Sequence, residues 1–92
     1  MSPHEGGYPG PSLDAVRNVL GAVLELGPRT ASLTPDSPLL GGLPELDSMA
    51  VITVVIELEE HFGIRFDEEE VTAEAFETLG SLTELVDRTR GI

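Results

Sequence analysis

The apolar residues of segment 13–24 recur at helical spacing, and polar residues fill most of the positions between them. Ser12 precedes this run and is a favourable N-cap residue, while Asp14 lies in the first turn, where the helix dipole favours a carboxylate. Gly27 and Pro28 follow and disfavour continuation of a helix. The pattern therefore predicts an amphipathic first helix.

A segment rich in proline, glycine and aspartate follows and predicts a long loop from Pro28 to Leu46. Loops of this length are uncommon inside compact domains, and those that occur are often functional. We expect the leucines of its second half to anchor the loop to the core: Leu39, Leu40, Leu43 and Leu46.

The segment after Asp47 carries conflicting local signals. Residues 51–56 form an unbroken β-branched run, which by propensity favours a strand. A helix is favoured because Asp47 and Ser48 are both good N-cap residues, because the apolar pattern continues to Phe62, and because Gly63 can end the element. The pattern predicts a helix, with a strand as the alternative.

The remainder of the chain predicts two further helices. An acidic connector at 64–71, which we expect Ile64, Phe66 and Val71 to anchor in the core, precedes a short helix from Thr72 through Glu77. A capping box at 81–84 begins the last helix, which Gly91 ends. Two arginines near that end complement the helix dipole: Arg88 and Arg90.

These elements predict an all-α fold, a small four-helix bundle of three main helices and one short one, with a long loop after the first helix. Residues 1–11 are dense in glycine and proline and are expected to form a disordered tail. Residues 12–92 then form one domain, because a chain of 92 residues builds a single small core.

Composition narrows the functional classes. The chain has no cysteine, which excludes disulfides and thiolate chemistry on its own side chains, and no apolar run long enough to cross a membrane. Its net charge of -12 disfavours nucleic-acid binding and favours docking onto basic proteins, although acidity also serves solubility alone. We expect a cytoplasmic monomer.

The residues that carry candidate chemistry lie where the long loop meets the second main helix. A serine at this junction, Ser48, has an exposed hydroxyl beside unpaired backbone amides and the positive end of the dipole, a setting that suits a phosphodiester. Taken alone, the Asp47-Ser48 pair is better explained as a plain N-cap, because aspartate and serine are among the commonest residues at helix starts. His4 and His61 lie too far along the chain to activate the serine, so no catalytic residue and no metal site is predicted.

The wider sequence resembles the acyl carrier protein family. The resemblance rests on the attachment motif Leu46-Asp47-Ser48-Met49, the apolar helix that closes in residues 58–64, the acidic stretch 67–70 and the helices that follow, and it covers residues 13–90. It favours a helix after Asp47 over a strand. The stretch 43–50 is also similar to stand-alone carriers of specialised bacterial pathways, including those associated with exosortase systems.

The resemblance implies a carrier and not an enzyme. Family members hold acyl groups as thioesters on a 4'-phosphopantetheine arm, which a phosphopantetheinyl transferase installs from coenzyme A on the serine that matches Ser48. The implied partners are that transferase and the enzymes that load and transfer acyl groups. Two alternatives stay open: a peptidyl carrier of non-ribosomal peptide synthesis, which holds aminoacyl groups, and an unmodified acidic helical interaction module.

The second helix departs from many fatty-acid carriers, because residues 49–56 contain no carboxylate and its acids lie further on. A helix so apolar around its circumference must bury more than one face or expose an apolar patch. We hypothesise that the exposed parts of Met49, Ala50, Val51, Val54 or Val55 dock partner proteins, together with two carboxylates of the same helix, Glu57 and Glu60. Complete burial of these residues in the core is the alternative.

Overall fold

The computed structural model describes residues 11–92, so the tail predicted at 1–11 lies outside the described residues except for Pro11. Helices dominate this part of the chain, and no strand occurs in it. The α-helices are α1 (Leu13–Val23), α2 (Ser48–Phe62) and α3 (Leu79–Arg90), and two short 3-10 helices span Gly27–Ser32 and Glu68–Glu70. The predicted all-α fold is confirmed.

The start of α1 lies next to the end of α3 and is held there by buried polar groups. Ser12 occupies the predicted N-cap position, but its hydroxyl caps no backbone amide; it donates a hydrogen bond to Asp87 and accepts one from Arg90 Nη1 at 2.7 Å. Ser12 is fully buried and Asp87 almost so. The guanidinium of Arg90 also lies over the ring of Phe62, 4.9 Å from its centre, and so reaches α2.

The first helix ends earlier than the sequence suggested. Val23 is its last residue, and Glu25 and Gly27 both adopt positive φ, at 55° and 61°, which no helix interior allows. Pro28 then lies at the start of a 3-10 helix, where its missing amide hydrogen removes no helical bond. Part of the predicted loop is therefore ordered as a short helix.

The β-branched segment is helical, as predicted. Asp47 caps α2 at its start, and Gly63 ends it in the left-handed conformation with φ 66°. Val54 and Leu58 are fully buried against the rest of the bundle. Burial of this face outweighs the modest intrinsic preference of β-branched residues for strands, because helix and strand propensities differ by less than the burial of two aliphatic side chains.

The predicted short helix at 72–77 is wrong. This segment forms consecutive turns, and Thr72 Oγ1 accepts the amide of Ala75 at 3.2 Å as the cap of a single turn. The short helix lies earlier, at Glu68–Glu70, in the acidic connector. Of the connector's anchors, Phe66 is buried, whereas Ile64 and Val71 are half-buried.

The N-cap of the last helix lies three residues before the start of the predicted capping box. Thr78 is its N-cap: Thr78 Oγ1 accepts the amide of Ser81, and Ser81 Oγ accepts the amide of Thr78, both at 3.0 Å. Leu79 and Gly80 donate their amides to carbonyls of the long loop, at Ser37 and Pro35. The register of α3 is thus set by contacts with the loop. Gly91 ends the helix as predicted, with φ 83°.

The core is mostly aliphatic and includes two phenylalanines, Phe66 and Phe76, of which Phe76 is fully buried. Leu39 and Leu46 lie in this core and anchor the long loop, Leu43 is half-buried, and Leu40 is exposed, against the prediction that it would anchor the loop as well. Among residues 11–92, no helix is long and apolar enough to cross a membrane.

Candidate functional site

The first turn of α2 is built around Asp47. Its backbone is extended, with φ -96° and ψ -175°, and its Oδ1 accepts a hydrogen bond from the amide of Ala50 at 2.9 Å. Asp47 therefore provides the N-cap, and Ser48 is the first residue of the helix with an exposed side chain. The Ser48 side chain is exposed to solvent, and its hydroxyl forms no hydrogen bond with any residue in 11–92.

Two backbone amides at this turn remain open. Within residues 11–92, the amides of Ser48 and Met49 meet no acceptor, whereas the Val51 amide bonds to the Asp47 carbonyl at 2.9 Å. Unpaired amides at the positive end of a helix dipole stabilise a bound anion. An anionic group attached to the Ser48 hydroxyl would lie beside them.

The loop that leads to Ser48 is fixed at its end by an ion pair. Arg29 donates two hydrogen bonds to Glu45, from Nη1 to Oε2 at 2.8 Å and from Nη2 to Oε1 at 3.0 Å. These hydrogen bonds hold the pKa of the Glu45 carboxyl below its ordinary value and raise the pKa of Arg29. Leu46 is buried immediately afterwards, so the chain enters α2 from an anchored position.

A cleft runs from Ser48 along α2. Next to the serine lies a cavity of about 400 Å³ between the start of α2 and the turns at 71–76, and beyond it lies an apolar groove of about 240 Å³ against Phe66. Val51 and Val71 line both, so the two spaces adjoin. The exposed hydroxyl therefore stands at one end of an extended, largely apolar furrow.

Comparison with known proteins identifies this arrangement. The sequence model of the family described as "Phosphopantetheine attachment site" matches residues 14–86. The solution NMR structure of a holo acyl carrier protein from Nitrosomonas europaea is similar to this chain, with 53% sequence identity and a TM-score of 0.83. The match covers 86% of this chain and 95% of that protein. This chain belongs to the acyl carrier protein family.

The prosthetic group of such a carrier is 4'-phosphopantetheine. The surroundings of Ser48 fit it: the hydroxyl is exposed, the amides of Ser48 and Met49 are open to the phosphodiester, and the furrow beside Val51 can receive the apolar part of the arm. No thiol of this chain is needed, since the arm brings its own.

The structure separates the residues that were predicted to dock the partners of the carrier. Val54 is fully buried and contributes no surface, so its predicted docking role is wrong. Ala50, Val51 and Val55 are half-buried, while the two carboxylates of that prediction, Glu57 and Glu60, are exposed. Met49 is 71% exposed. Only one face of α2 is therefore buried in the core.

Two exposed residues on α2 were missed by the sequence analysis. Ile52 is 56% exposed and Ile56 is 48% exposed, and both lie on the face opposite Val54 and Leu58. The helical spacing contained the signal: once Val54 is assigned to the core, residues about half a turn away face solvent. The β-branched run concealed this division, because every position in it is apolar or threonine.

His61 lies at the opposite end of α2 from Ser48. It lies near the end of α2 with an exposed side chain, and its ring meets the ring of Phe62 edge-on at 4.8 Å between centres. In the part of the carrier that the structure describes, no group of histidine and carboxylate side chains is arranged to hold a metal ion.

Proposed function

We propose that this carrier holds acyl groups as thioesters on a 4'-phosphopantetheine arm attached to Ser48. The observation that carries the proposal is the position of Ser48: it is the first residue of α2, exposed, and flanked by open amides, in a chain that belongs to the carrier family. The arm, when attached, supplies the thiol that forms the thioester.

The residues around Ser48 have distinct tasks in this proposal. Asp47 caps α2 through the Ala50 amide and so presents the serine hydroxyl at the helix start. The amides of Ser48 and Met49 donate to the phosphodiester, where the helix dipole favours the negative charge. Leu46 anchors the preceding loop in the core, which keeps the attachment motif in place while partners change.

The furrow beside α2 can accommodate the group that is attached to the arm. Its walls at Val51, Val55, Phe66 and Val71 are apolar, so an acyl chain that lies there removes apolar surface from water. A thioester seated in such a cleft is also less exposed to hydrolysis than one in solvent. The same walls are a weak match for polar or charged cargo.

Partner enzymes perform the chemistry in this proposal. A phosphopantetheinyl transferase modifies Ser48, and acyl-loading and acyl-transferring enzymes then act on the arm. The tether raises the local concentration of the acyl group at each docked enzyme. We expect the carrier to act in the cytoplasm. We expect it to be a monomer, because its net charge of -12 opposes self-association.

The other candidate functions have less support. A peptidyl carrier would share the attachment chemistry, but the 53%-identical neighbour is an acyl carrier protein. An unmodified interaction module would not require the attachment-site family match over residues 14–86. No structural observation favours either one.

Intact mass spectrometry tests the proposal. Wild-type apo protein, incubated with coenzyme A and a broad-specificity phosphopantetheinyl transferase, is expected to gain the mass of one phosphopantetheine. The Ser48→Ala variant is the control and is expected to gain none. An adduct that persists in Ser48→Ala, or a wild-type protein that gains no mass, would reject attachment at Ser48.

A further inference from the structure

Leu40 is a large apolar residue of the long loop whose side chain lies outside the core. It is 37% exposed, whereas Leu39 beside it is fully buried. Within residues 11–92, Leu40 belongs neither to the core nor to the apolar side chains that pack against the core. Its side chain therefore has apolar surface that is free to contact another group.

Backbone hydrogen bonds hold Leu40 in a fixed position. Its amide donates to the carbonyl of Phe76 at 3.0 Å, and the amide of Leu39 donates to the carbonyl of Glu77 at 2.9 Å. A residue that is already held at its backbone loses little further freedom when its side chain is covered, and such preorganisation favours binding. Leu40 is thus an ordered apolar surface even though it lies in a loop.

Leu40 and Ser48 line the same cavity, the one of about 400 Å³ beside the start of α2. Most of the remaining wall is apolar, and its members come from α2, the loop and the turns at 71–76: Leu46, Val51, Val71, Ala73 and Phe76. Asp47 and Thr72 add polar groups. A group attached to the Ser48 hydroxyl is therefore attached to the wall of a largely apolar cavity.

The chemistry of the arm suits this cavity. After its phosphodiester, phosphopantetheine carries a gem-dimethyl carbon, followed by a hydroxyl, the amide groups and the terminal thiol. The dimethyl carbon is thus the apolar group of the arm that lies closest to the serine. A tethered group has a high effective concentration at any site within its reach, so a weak apolar contact is sufficient to hold it.

We propose that the side chain of Leu40 contacts the gem-dimethyl group of the arm and holds the resting arm in the cavity beside Ser48. This inference rests on the proposed function. The attachment of the arm at the wall of the cavity favours it as the occupant. A second copy of this chain is opposed, since each copy carries a net charge of -12.

The contact couples the resting arm to the folded protein. A group that binds the folded state and not the unfolded chain stabilises the fold, so the arm is expected to stabilise the carrier through Leu40. Burial of one methylene group corresponds to a factor of about four in an equilibrium constant. Loss of the Leu40 contact is therefore expected to change this coupling about fourfold or more.

Urea denaturation of the apo and holo proteins tests the contact. Intact mass verifies each form, and the quantity compared is the ratio of the holo to the apo folding equilibrium constant. In Leu40→Ser we expect this ratio to fall about fourfold or more below that of wild type. If Leu40 served only the structure of the loop, its replacement would affect the apo and holo proteins alike and would leave the ratio unchanged.

Two further variants provide controls. Leu40→Met retains an apolar side chain of similar volume and is expected to keep a ratio close to that of wild type. Ile92 is 63% exposed and lies outside the cavity, so Ile92→Ser is expected to have the wild-type ratio.

Nuclear Overhauser contacts in the wild-type holo protein test the inference without any variant. We expect contacts between the methyl protons of Leu40 and those of the gem-dimethyl group. Their absence, an unchanged ratio in Leu40→Ser, or an equal fall in Ile92→Ser would overturn the inference. Contacts of the gem-dimethyl group with Phe66 alone would also overturn it, because they would place the arm in the more distant groove.

Failure of this inference and failure of the proposed function are distinguishable. If the wild-type protein gains no phosphopantetheine, the proposed function is rejected, and the contact with Leu40 is rejected with it. If Ser48 carries the arm but the contacts with Leu40 are absent, only the present inference is rejected.

Discussion

The Oδ1 atom of Asp47 accepts a hydrogen bond from the amide of Ala50 at 2.9 Å, and this contact determines where α2 begins. It leaves Ser48 as the first helical residue with its hydroxyl in solvent. An aspartate at the N-cap also adds negative charge at the positive end of the helix, which stabilises the turn. Asp47, the residue before Ser48, thus has a structural role that is independent of any partner.

Replacement of Asp47 tests this task. Asp47→Ala removes the acceptor for the Ala50 amide and is expected to lower the free energy of unfolding by about 1 kcal/mol, measured by urea denaturation. Asp47→Asn retains a side-chain oxygen and is the matched control, with an expected loss of a few tenths of a kcal/mol at most. Equal stability of Asp47→Ala and wild type would contradict the assignment of Asp47 as the cap.

The Arg29–Glu45 pair predicts a pH dependence. The folded-state pKa of Glu45 lies below its ordinary value of 4.5 because Arg29 donates hydrogen bonds to the carboxylate. Its contribution to stability is therefore full above that ordinary value and is lost as the pH falls through the folded pKa. We expect Arg29→Gln to destabilise the carrier near neutral pH and to make no difference at about pH 2.

The measurement for this pair is urea denaturation of wild type and Arg29→Gln across that pH range. Because both side chains are exposed to solvent, added salt should reduce the difference at neutral pH. Arg88→Gln, on the exposed surface of α3, provides the control for removal of one positive charge. A difference between wild type and Arg29→Gln that persists at the acid end would contradict the pairing with Glu45.

The hydrogen bonds of Ser12 with Asp87 and Arg90 predict a larger loss of stability than the Arg29–Glu45 pair does. Ser12→Ala removes the hydroxyl that links Asp87 to Arg90 and leaves the buried Asp87 carboxylate without this donor. The expected loss is about 1–3 kcal/mol in the free energy of unfolding, the cost of an unsatisfied buried polar group. Ser32→Ala, at an exposed position, is expected to change stability by about 0.5 kcal/mol or less.

The division of α2 into a buried and an exposed face can be tested with two neighbouring substitutions. Leu58 is fully buried and Ile56 is 48% exposed. Leu58→Ala is expected to cost about 2–5 kcal/mol, whereas Ile56→Ala is expected to cost about 0.5 kcal/mol or less. Similar losses for the two variants, measured by urea denaturation, would contradict the orientation of the helix.

Much of the fold follows from local sequence signals. The spacing of apolar residues in 13–24, the N-cap residues before Met49 and the glycines after Phe62 and Arg90 predict all three α-helices. The position of Ser48 at the start of α2 follows from the same signals. The local signals do not show whether Asp47 or Ser48 caps the helix, because aspartate and serine are nearly equal as N-cap residues.

Features set by contacts between distant segments were not predictable from local pattern. The capping box at Ser81 and Glu84 satisfies the local rule, yet α3 begins at Leu79, whose amide is held by the carbonyl of Ser37 in the long loop. Ser12 likewise has the ideal residue type for a cap, but its hydroxyl turns to Asp87 on α3. In both places a long-range hydrogen bond decided between local alternatives.

The most direct test of the central claim is a mass measurement that locates the modification. Trypsin cleavage after Arg29 and Arg65 releases residues 30–65, which contain Ser48 together with other hydroxyl side chains. After incubation with coenzyme A and the transferase, tandem mass spectrometry of this peptide is expected to place one phosphopantetheine on Ser48. An unmodified peptide, or a modification on any other hydroxyl, would contradict the assignment of Ser48 as the attachment residue.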